Sequence, residues 1–228
     1  MVSAAKIISE LKKKNNDLFQ SFLPNRENLF NSKKFKKFKK FKTVVIIGMG
    51  GSILGAKAIY SFLKYKIKKK FIFVDNLDQQ LIKRIKKENN LHKTLFLAIS
   101  KSGNTTETIV NLAYFKNYLK KNNTIVISEN RSNFLSGFAK KNQITFIKHN
   151  ANLGGRYSVF SDVGMLPAYL MGLKIKNFKK NLPKLMHDKN FLSKSFKNLS
   201  KLNFNKYKNV ILFNYEPELN DFLFWCQQ

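Results

Sequence analysis

The sequence predicts an α/β fold: a doubly wound parallel sheet of five strands with flanking helices. Three observations carry that expectation. Short runs of β-branched and aromatic apolar residues recur through 43–148. Each is followed by a stretch whose apolar residues return at helical spacing, and the connections between them are short. Strands that alternate with helices in this way run parallel, with helices covering both faces of the sheet.

Taken in order, residues 3–23 read as an amphipathic helix. KKFKKFKKFK at 33–42 places Phe35, Phe38 and Phe41 at every third position. Two readings stand for it: a packing stripe with solvated lysines leading into the first strand, or a basic–aromatic patch for a polyanion. TVVIIG at 43–48 is a buried strand ending in glycine. Residues 52–64 follow as a helix, with Ile53, Leu54, Ala58, Ile59 and Phe62 at helical spacing. FIFVDN at 71–76 and a helix at 78–89 form the next pair, then TLFLAIS at 94–100 and a helix at 104–120. TIVIS at 124–128, a helix over about 132–141 and QITFIK at 143–148 complete the sheet.

Beyond residue 150 the rhythm changes. A loop, NANLGGRYS, leads to an apolar helix at about 161–173 and more helix to about 206, broken near Pro183. A strand is expected at 209–213 and a helix from near Pro217, inside which the last residues, WCQQ, fall. A strand followed by an unfinished helix cannot bury itself, so the C-terminus reads as a truncation. The apolar face of 209–226, with Phe222, Phe224 and Trp225, is expected to stand exposed. The expected divisions are 1–42, an N-terminal helical segment; 43–150, the α/β domain; 151–206, the glycine–arginine loop and linking helices; and 207–228, the start of a second domain.

Composition narrows the function. The 228 residues suffice for one full core. Cys226 is the single cysteine, which excludes a disulfide within the chain and favours a reduced, cytoplasmic setting. The N-terminus lacks the apolar run of a secretory signal. The best apolar stretch, 163–173, is about half the ~20 residues that a membrane helix needs and contains a proline, so no membrane partner is expected. Lysine and arginine number 43 against 13 acidic residues, for a net charge of +30. Yet only Arg26, Arg84, Arg131 and Arg156 are arginines, and the lysines are spread along the whole chain. Base readout and bidentate phosphate clamps favour arginine, so no specific nucleic-acid partner is expected. The abundance of Lys, Asn, Ile and Phe fits the drift of an AT-rich genome.

Two loops carry chemistry. GMGGSILG at 48–55 follows the first strand; its glycines allow close approach of a ligand to the backbone, and the next helix points its N–H groups there. It is neither a dinucleotide fingerprint, since Ile53 stands where the third glycine belongs, nor a P-loop. Ligand contact and a tight strand–helix turn both remain open for it. SKSGNTTET at 100–108 follows the third strand, with hydroxyls at Ser100, Ser102, Thr105, Thr106 and Thr108 around Gly103. Free N–H groups and the helix dipole attract phosphate, and hydroxyls add neutral donors. An ordinary N-cap by Ser102 or Asn104 needs only one such side chain. Both loops lie at C-terminal strand ends, where open α/β sheets bind ligands.

SKSGNTTET resembles the phosphosugar loop of the sugar isomerase (SIS) superfamily, of the form S-x-S-G-x-T-x-E-T. GMGGSILG resembles the G-I-G-G-S-x-L-G loop of the glucose-6-phosphate isomerase family. NLGGRYSVFSDVGMLPAYL at 152–170 is similar to that family's G-G-R-[FY]-S signature and following helix, and NYEPELNDFLFWCQQ to its approach to a second SIS domain. The resemblance covers about 40–228, with the motifs in order. It implies an SIS-type fold and an aldose–ketose isomerase that interconverts glucose 6-phosphate and fructose 6-phosphate through a cis-enediolate, with no cofactor and no metal, as a cytoplasmic homodimer. Carried over residue by residue, Ser100, Ser102, Thr105 and Thr108 hold the phosphate with the Lys101 backbone beside them. Gly51 and Ser52 touch the sugar, and Arg156 stabilises the enediolate. Two glycines before Arg156 give its backbone freedom, and arginine keeps its charge in a partly dry site.

Many members carry S-K-T-F-T-T-x-E-T where this chain has Ser102, Gly103 and Asn104, which leaves a bifunctional phosphoglucose/phosphomannose isomerase open. A stand-alone SIS module that binds a sugar phosphate is the other alternative. The family's base glutamate, in an E-S-x-G-K motif, its ring-opening histidine and a C-terminal lysine match nothing here, so the chain alone is expected to be inactive. His92, His149 and His187 do not fall at the family's histidine position. His149 reads as structural, and Glu107 as orienting its loop rather than moving a proton.

Overall fold

The computed structural model describes residues 17–23, 30, 32–200, 209 and 211–228. Of the helix expected over 3–23, only α1 (Asp17–Phe22) lies within the described residues. Next come a short helix, α2 (Ser32–Phe35), and a 3₁₀ turn, Lys36–Lys40. A 3₁₀ helix has three residues per turn, so a three-residue repeat falls on one face. Phe35, Phe38 and Phe41 are all buried, Phe38 completely, while Lys36, Lys37, Lys39 and Lys40 stand exposed between them. The packing reading of KKFKKFKKFK is the one the fold adopts.

The sheet comprises β1 (Thr43–Gly48), β2 (Lys70–Val74), β3 (Thr94–Ile99), β4 (Thr124–Glu129) and β5 (Thr145–His149). All pairings are parallel and the spatial order is β2-β1-β3-β4-β5. Between the strands lie α3 (Leu54–Phe62), α4 (Gln79–Glu88), α5 (Thr106–Tyr114) and α6 (Phe134–Lys141). Then follow α7 (Asp162–Leu170), α8 (Ile175–Lys179), α9 (Leu182–His187) and α10 (Lys189–Ser200), and finally α11 (Asn220–Cys226). The expected five-stranded parallel α/β architecture is confirmed, with element ends shifted by a few residues.

Alternation along the central strands builds two cores. Val44, Ile46, Leu95, Leu97, Ile99, Ile125 and Ile127 face one side, against Phe38, Phe41, Ile53 and the α7 residues Val163, Met165, Leu166 and Leu170. Val45, Ile47, Phe96, Ala98 and Val126 face the other, against Ile82 and Ile85 of α4, Leu112 of α5 and Leu135 of α6. The strands are apolar on both faces because both faces are covered. α7 is apolar nearly all round, as a helix seated inside a core must be.

Of the strand expected at 209–213, the described residues, 209 and 211–213, form none: they have no regular structure, and neither do 214–216. A strand exists by pairing, and these described residues pair with neither edge of the sheet. Ile211 and Phe213 are 72% and 77% exposed. The following helix, in contrast, is not left hanging. α11 packs along α3, Trp225 is half-buried, and Phe222 and Phe224 remain exposed. The further helix expected up to about 206 is present as the three segments α8, α9 and α10 up to Ser200; residues 201–206 lie outside the described residues. No helix of the described residues is long and apolar enough to cross a membrane.

Phe38 tests the packing reading. Phe38→Ala should cost about 3–5 kcal/mol in denaturant unfolding, the range for deleting a fully buried phenylalanine. Lys37→Ala, one residue away and exposed, should change stability by less than about 0.5 kcal/mol, as surface substitutions do.

Candidate functional site

Strand register sets the site. Gly48, the last residue of β1, pairs beside Ile99, the last residue of β3. The chain leaves β1 towards β2 on one side, whereas β3 leads to β4 and β5 on the other. The C-terminal ends of β1 and β3 therefore flank a topological switch point, the crevice where open α/β sheets take ligands. The two glycine- and hydroxyl-bearing loops open there side by side.

In the second loop three hydroxyls converge. Ser100 Oγ lies 2.8 Å from Thr105 Oγ1 and 3.5 Å from Ser102 Oγ, which is itself 3.5 Å from Thr105 Oγ1. Ser100 is buried and accepts from the Gly103 N–H at 3.1 Å; Ser102 accepts from the Asn104 N–H at 3.2 Å. Thr105 holds the N-cap position of α5, but neither it nor any other side chain caps that helix. The alternative reading of the loop, an ordinary N-cap by Ser102 or Asn104, is not what the helix start shows. Asn104 Oδ1 instead accepts from Phe134 N at 2.8 Å, the first residue of α6. An uncapped helix start beside three hydroxyls is a place where an anion finds donors and a favourable dipole.

Thr108 is not part of that triangle. It sits one turn along α5, 1% exposed, and its Oγ1 is buried without a hydrogen-bond partner. The loop is rigidly backed. Glu129 N donates to the Lys101 carbonyl at 3.0 Å and Leu135 N to the Gly103 carbonyl at 3.1 Å. Gly103 has φ +71, and a side chain there would overlap Asn133 of the α6 cap and reach Ser128 Oγ. Asn133, which forms a capping box with Ser136, thus shapes the loop from outside its motif. The Lys101 ammonium lies 3.8 Å from Glu129, whose other oxygen is 2.7 Å from Arg131 Nε. Glu107, expected to orient the loop, is half-buried and makes no hydrogen bond or ion pair among the described residues. Asn104 and Asn133 do that work.

The first loop forms a 3₁₀ turn, Gly50–Ser52, with Ser52 N donating to the Met49 carbonyl at 3.0 Å. Gly51 packs directly on the Gly155–Arg156 peptide, so closely that a methyl group would overlap its atoms. Gly51 provides close approach, while its neighbour Gly50 takes a left-handed φ of +50; before Arg156 no unusual angle is needed at Gly154, whose φ is −62. Arg156 opens the 3₁₀ turn Gly155–Phe160, held by Ser158 Oγ to the Gly155 carbonyl at 2.5 Å and continued into α7 through the Ser161 cap. Its side chain is exposed and has no ion pair among the described residues. Trp225 Nε1 donates to the Arg156 carbonyl at 3.0 Å, a contact that no motif or spacing in the sequence points to.

Ser100, Ser102 and Thr105 are thus brought together in the loop after β3, and in the adjoining loop after β1 Gly51 packs on Arg156 of a third loop, beyond β5. The Phosphoglucose isomerase family model matches residues 8–228. The chain belongs to that family. It is 36% identical to a glucose-6-phosphate isomerase of Methanocaldococcus jannaschii over 148 residues, which cover 64% of this chain and 37% of that relative. It is 33% identical to a probable glucose-6-phosphate isomerase of Methanococcus maripaludis over 209 residues, which cover 81% of this chain and 46% of that one. The chain thus spans less than half the length of these two relatives. Among solved structures, a hypothetical protein from Thermus thermophilus superimposes with a TM-score of 0.81 at 24% identity, covering 97% of this chain and 57% of that one. A glucose-6-phosphate isomerase from Chlamydia trachomatis does so with a TM-score of 0.69 at 22% identity, covering all of this chain and 45% of its own. These likenesses show that the chain shares the α/β fold of those two structures.

His149 ends β5 opposite Glu129 and is 4% exposed, with Nδ1 2.8 Å from the Asn150 carbonyl. Burial lowers its pKa below the ordinary 6.5; the Lys101 charge adds to the effect, against the Asn150 hydrogen bond and Glu129. His92 stacks edge-on against Tyr118, away from the loops, and the His187 side chain lies outside the described residues. Because protonating His149 is harder in the folded chain, its contribution to stability is complete above pH 6.5 and is lost as pH falls below it. Urea unfolding at about pH 7.5 and about pH 5 should show stability decreasing on acidification, by at most about 1.4 kcal/mol per pH unit from this group. His149→Gln should flatten that slope; an unchanged slope would remove His149 as its source.

Proposed function

We propose that the chain supplies the sugar-phosphate site of an aldose–ketose isomerase that interconverts glucose 6-phosphate and fructose 6-phosphate. The observation that carries this reading is the cluster of Ser100, Ser102 and Thr105 at the uncapped start of α5, next to the loop whose Gly51 packs on the Arg156 peptide. The phosphate sits on the three hydroxyls and the free N–H groups of α5, with the Lys101 backbone alongside. The buried, unpartnered Thr108 hydroxyl lines the same first turn. Gly51 and Ser52 meet the sugar chain, and Arg156 reaches its C1–C2 end. Family membership and relatives named as glucose-6-phosphate isomerases support the substrate.

The isomerisation moves two protons. A base removes the C2 proton of the open-chain aldose, its electron pair forms the C1–C2 double bond while the C1 carbonyl pair passes to O1, the O2 hydroxyl proton passes to O1, and the proton taken from C2 returns to C1 as the C2 oxygen becomes a carbonyl. Nothing is oxidised or reduced overall. The chain's own part is to hold the phosphate and to place a permanent cation where the enediolate charge grows. Glu129 is engaged by Lys101 and Arg131, and Glu107 has no partner among the described residues that would hold it towards the sugar. The base is therefore assigned to the portion of the relatives that this chain does not match. A homodimer in a reducing cytoplasm completes the reading; the single cysteine, exposed Cys226, supports the compartment.

Two experiments test it. Thr105→Val keeps the shape of the α5 start and deletes a hydroxyl. It should weaken fructose 6-phosphate binding to the chain by about 1–3 kcal/mol in calorimetry, the scale of hydrogen bonds to a charged group. Unaltered affinity with an intact fold removes the phosphate site. In the full-length protein, Arg156→Lys retains charge and loses the planar fork. It should lower kcat by roughly 10²–10³-fold with a much smaller change in KM, as when one preorganised donor to a developing oxyanion is removed. A rise in KM alone would make Arg156 a binding residue.

A further inference from the structure

We propose that Trp225 is a positioning residue for Arg156, and that α11 is the element through which this position is set. The inference deepens the isomerase reading and rests on it. The Arg156 main chain is gripped on both sides. Gly51 packs on the Gly155–Arg156 peptide, and the indole N–H of Trp225 donates to the Arg156 carbonyl at 3.0 Å. Indole nitrogen is a donor only, so the direction of that bond is fixed. The Arg156 side chain has no ion pair among the described residues. Among the described residues the contacts that constrain its position are therefore those on its backbone, and one of the two grips on that backbone comes from α11.

α11 is anchored independently of that bond. Asp221, in its first turn, accepts from the Ser61 hydroxyl and lies 3.6 Å from the Lys57 ammonium. Lys57 and Ser61 are four apart on α3 and share one face. Lys57 reaches on to Asp75, 2.8 Å away, just past the end of β2. Burial works against the Lys57 charge, but the two carboxylates more than offset it and raise its pKa, so the anchor stays ionised at neutral pH. The Phe222 ring packs on Trp225, with centroids 5.8 Å apart, and the Gln228 amide lies against Gly50. A seven-residue helix has little stability of its own. Its placement comes from these contacts, which run from the edge of the sheet through Lys57 and Asp221 to the Arg156 carbonyl.

The test compares two ligands by calorimetry on the chain. Fructose 6-phosphate reports the hydroxyl loop. A six-carbon aldonic acid phosphate carries a fixed carboxylate at the sugar end and so reports the placement of Arg156. Trp225→Phe keeps an aromatic ring and deletes the N–H. It should weaken the aldonic acid phosphate about tenfold, the scale of one lost hydrogen bond, and leave fructose 6-phosphate within about twofold. In an Arg156→Gln background the Trp225→Phe loss should vanish, because both act through one guanidinium. Asp221→Asn, which leaves Trp225 in place and loosens α11, should give the same selective loss and decides the matter if Trp225→Phe does not fold. Trp225 is the single tryptophan, so its fluorescence in Asp221→Asn shows directly whether the helix has undocked. Equal weakening of both ligands, or no change in either, overturns the positioning role. Failure of the unaltered chain to bind either ligand overturns the sugar-phosphate reading itself, and this inference falls with it.

Discussion

The parallel pairing of β1 with β3 is the constraint on which the site depends. It runs from Thr43 beside Thr94 to Gly48 beside Ile99, at the centre of the sheet, buried on both faces. A central pair of this kind cannot slip. Moving one strand by a single residue would turn Val44 and Ile46 into the core that Val45 and Ile47 occupy, and would unpack α3 and α7 on one face and α4 and α5 on the other. Because the register is fixed, the ends are fixed, and two loops far apart in sequence open at one level. The site inherits its precision from the sheet rather than from the loops.

The loops add constraints that act through the absence of side chains. Gly103 takes a left-handed conformation and lies against Asn133, so the hydroxyl loop can fold back under the cap of α6. Gly51 lets the Arg156 peptide approach the first loop to contact distance. In both places a methyl group would separate two segments whose closeness is the point of the arrangement. The polar contacts follow the same logic. Asn104 caps the neighbouring helix instead of its own, which leaves the start of α5 open and ties the loop to α6.

Much of this was legible in the sequence. The two-residue alternation of apolar side chains, the helical spacing between strands and the glycine and hydroxyl clusters each have a local cause, and local causes can be read from a string. The three-residue spacing of Phe35, Phe38 and Phe41 left two meanings, and only the 3₁₀ turn, whose period is three, selects one. What could not be read depends on distant partners. Asn133 lies about thirty residues from Gly103, and Trp225 still further from Arg156; no periodicity links them. The strand expected at 209–213 shows the reverse error. KNVILFN has every local feature of a strand, but pairing is a property of two segments, and its described residues pair with no strand of this sheet.

The abundance of lysines along the whole chain bears on how an anionic substrate would be recognised. A net charge of +30 draws any anion towards the molecule, and salt weakens that attraction. Such a field has no direction at the scale of a phosphate and cannot distinguish one anion from another. Discrimination has to come from groups with fixed geometry. The loop that would receive the phosphate is built that way, from hydroxyls held 2.8–3.5 Å apart and a helix start without a cap. Its own lysine, Lys101, lies against Glu129 instead of pointing freely into the loop. Bulk charge thus governs encounter, while neutral, directional donors govern fit. In a chain so rich in cations, the hydroxyl loop is distinguished by relying on few of them.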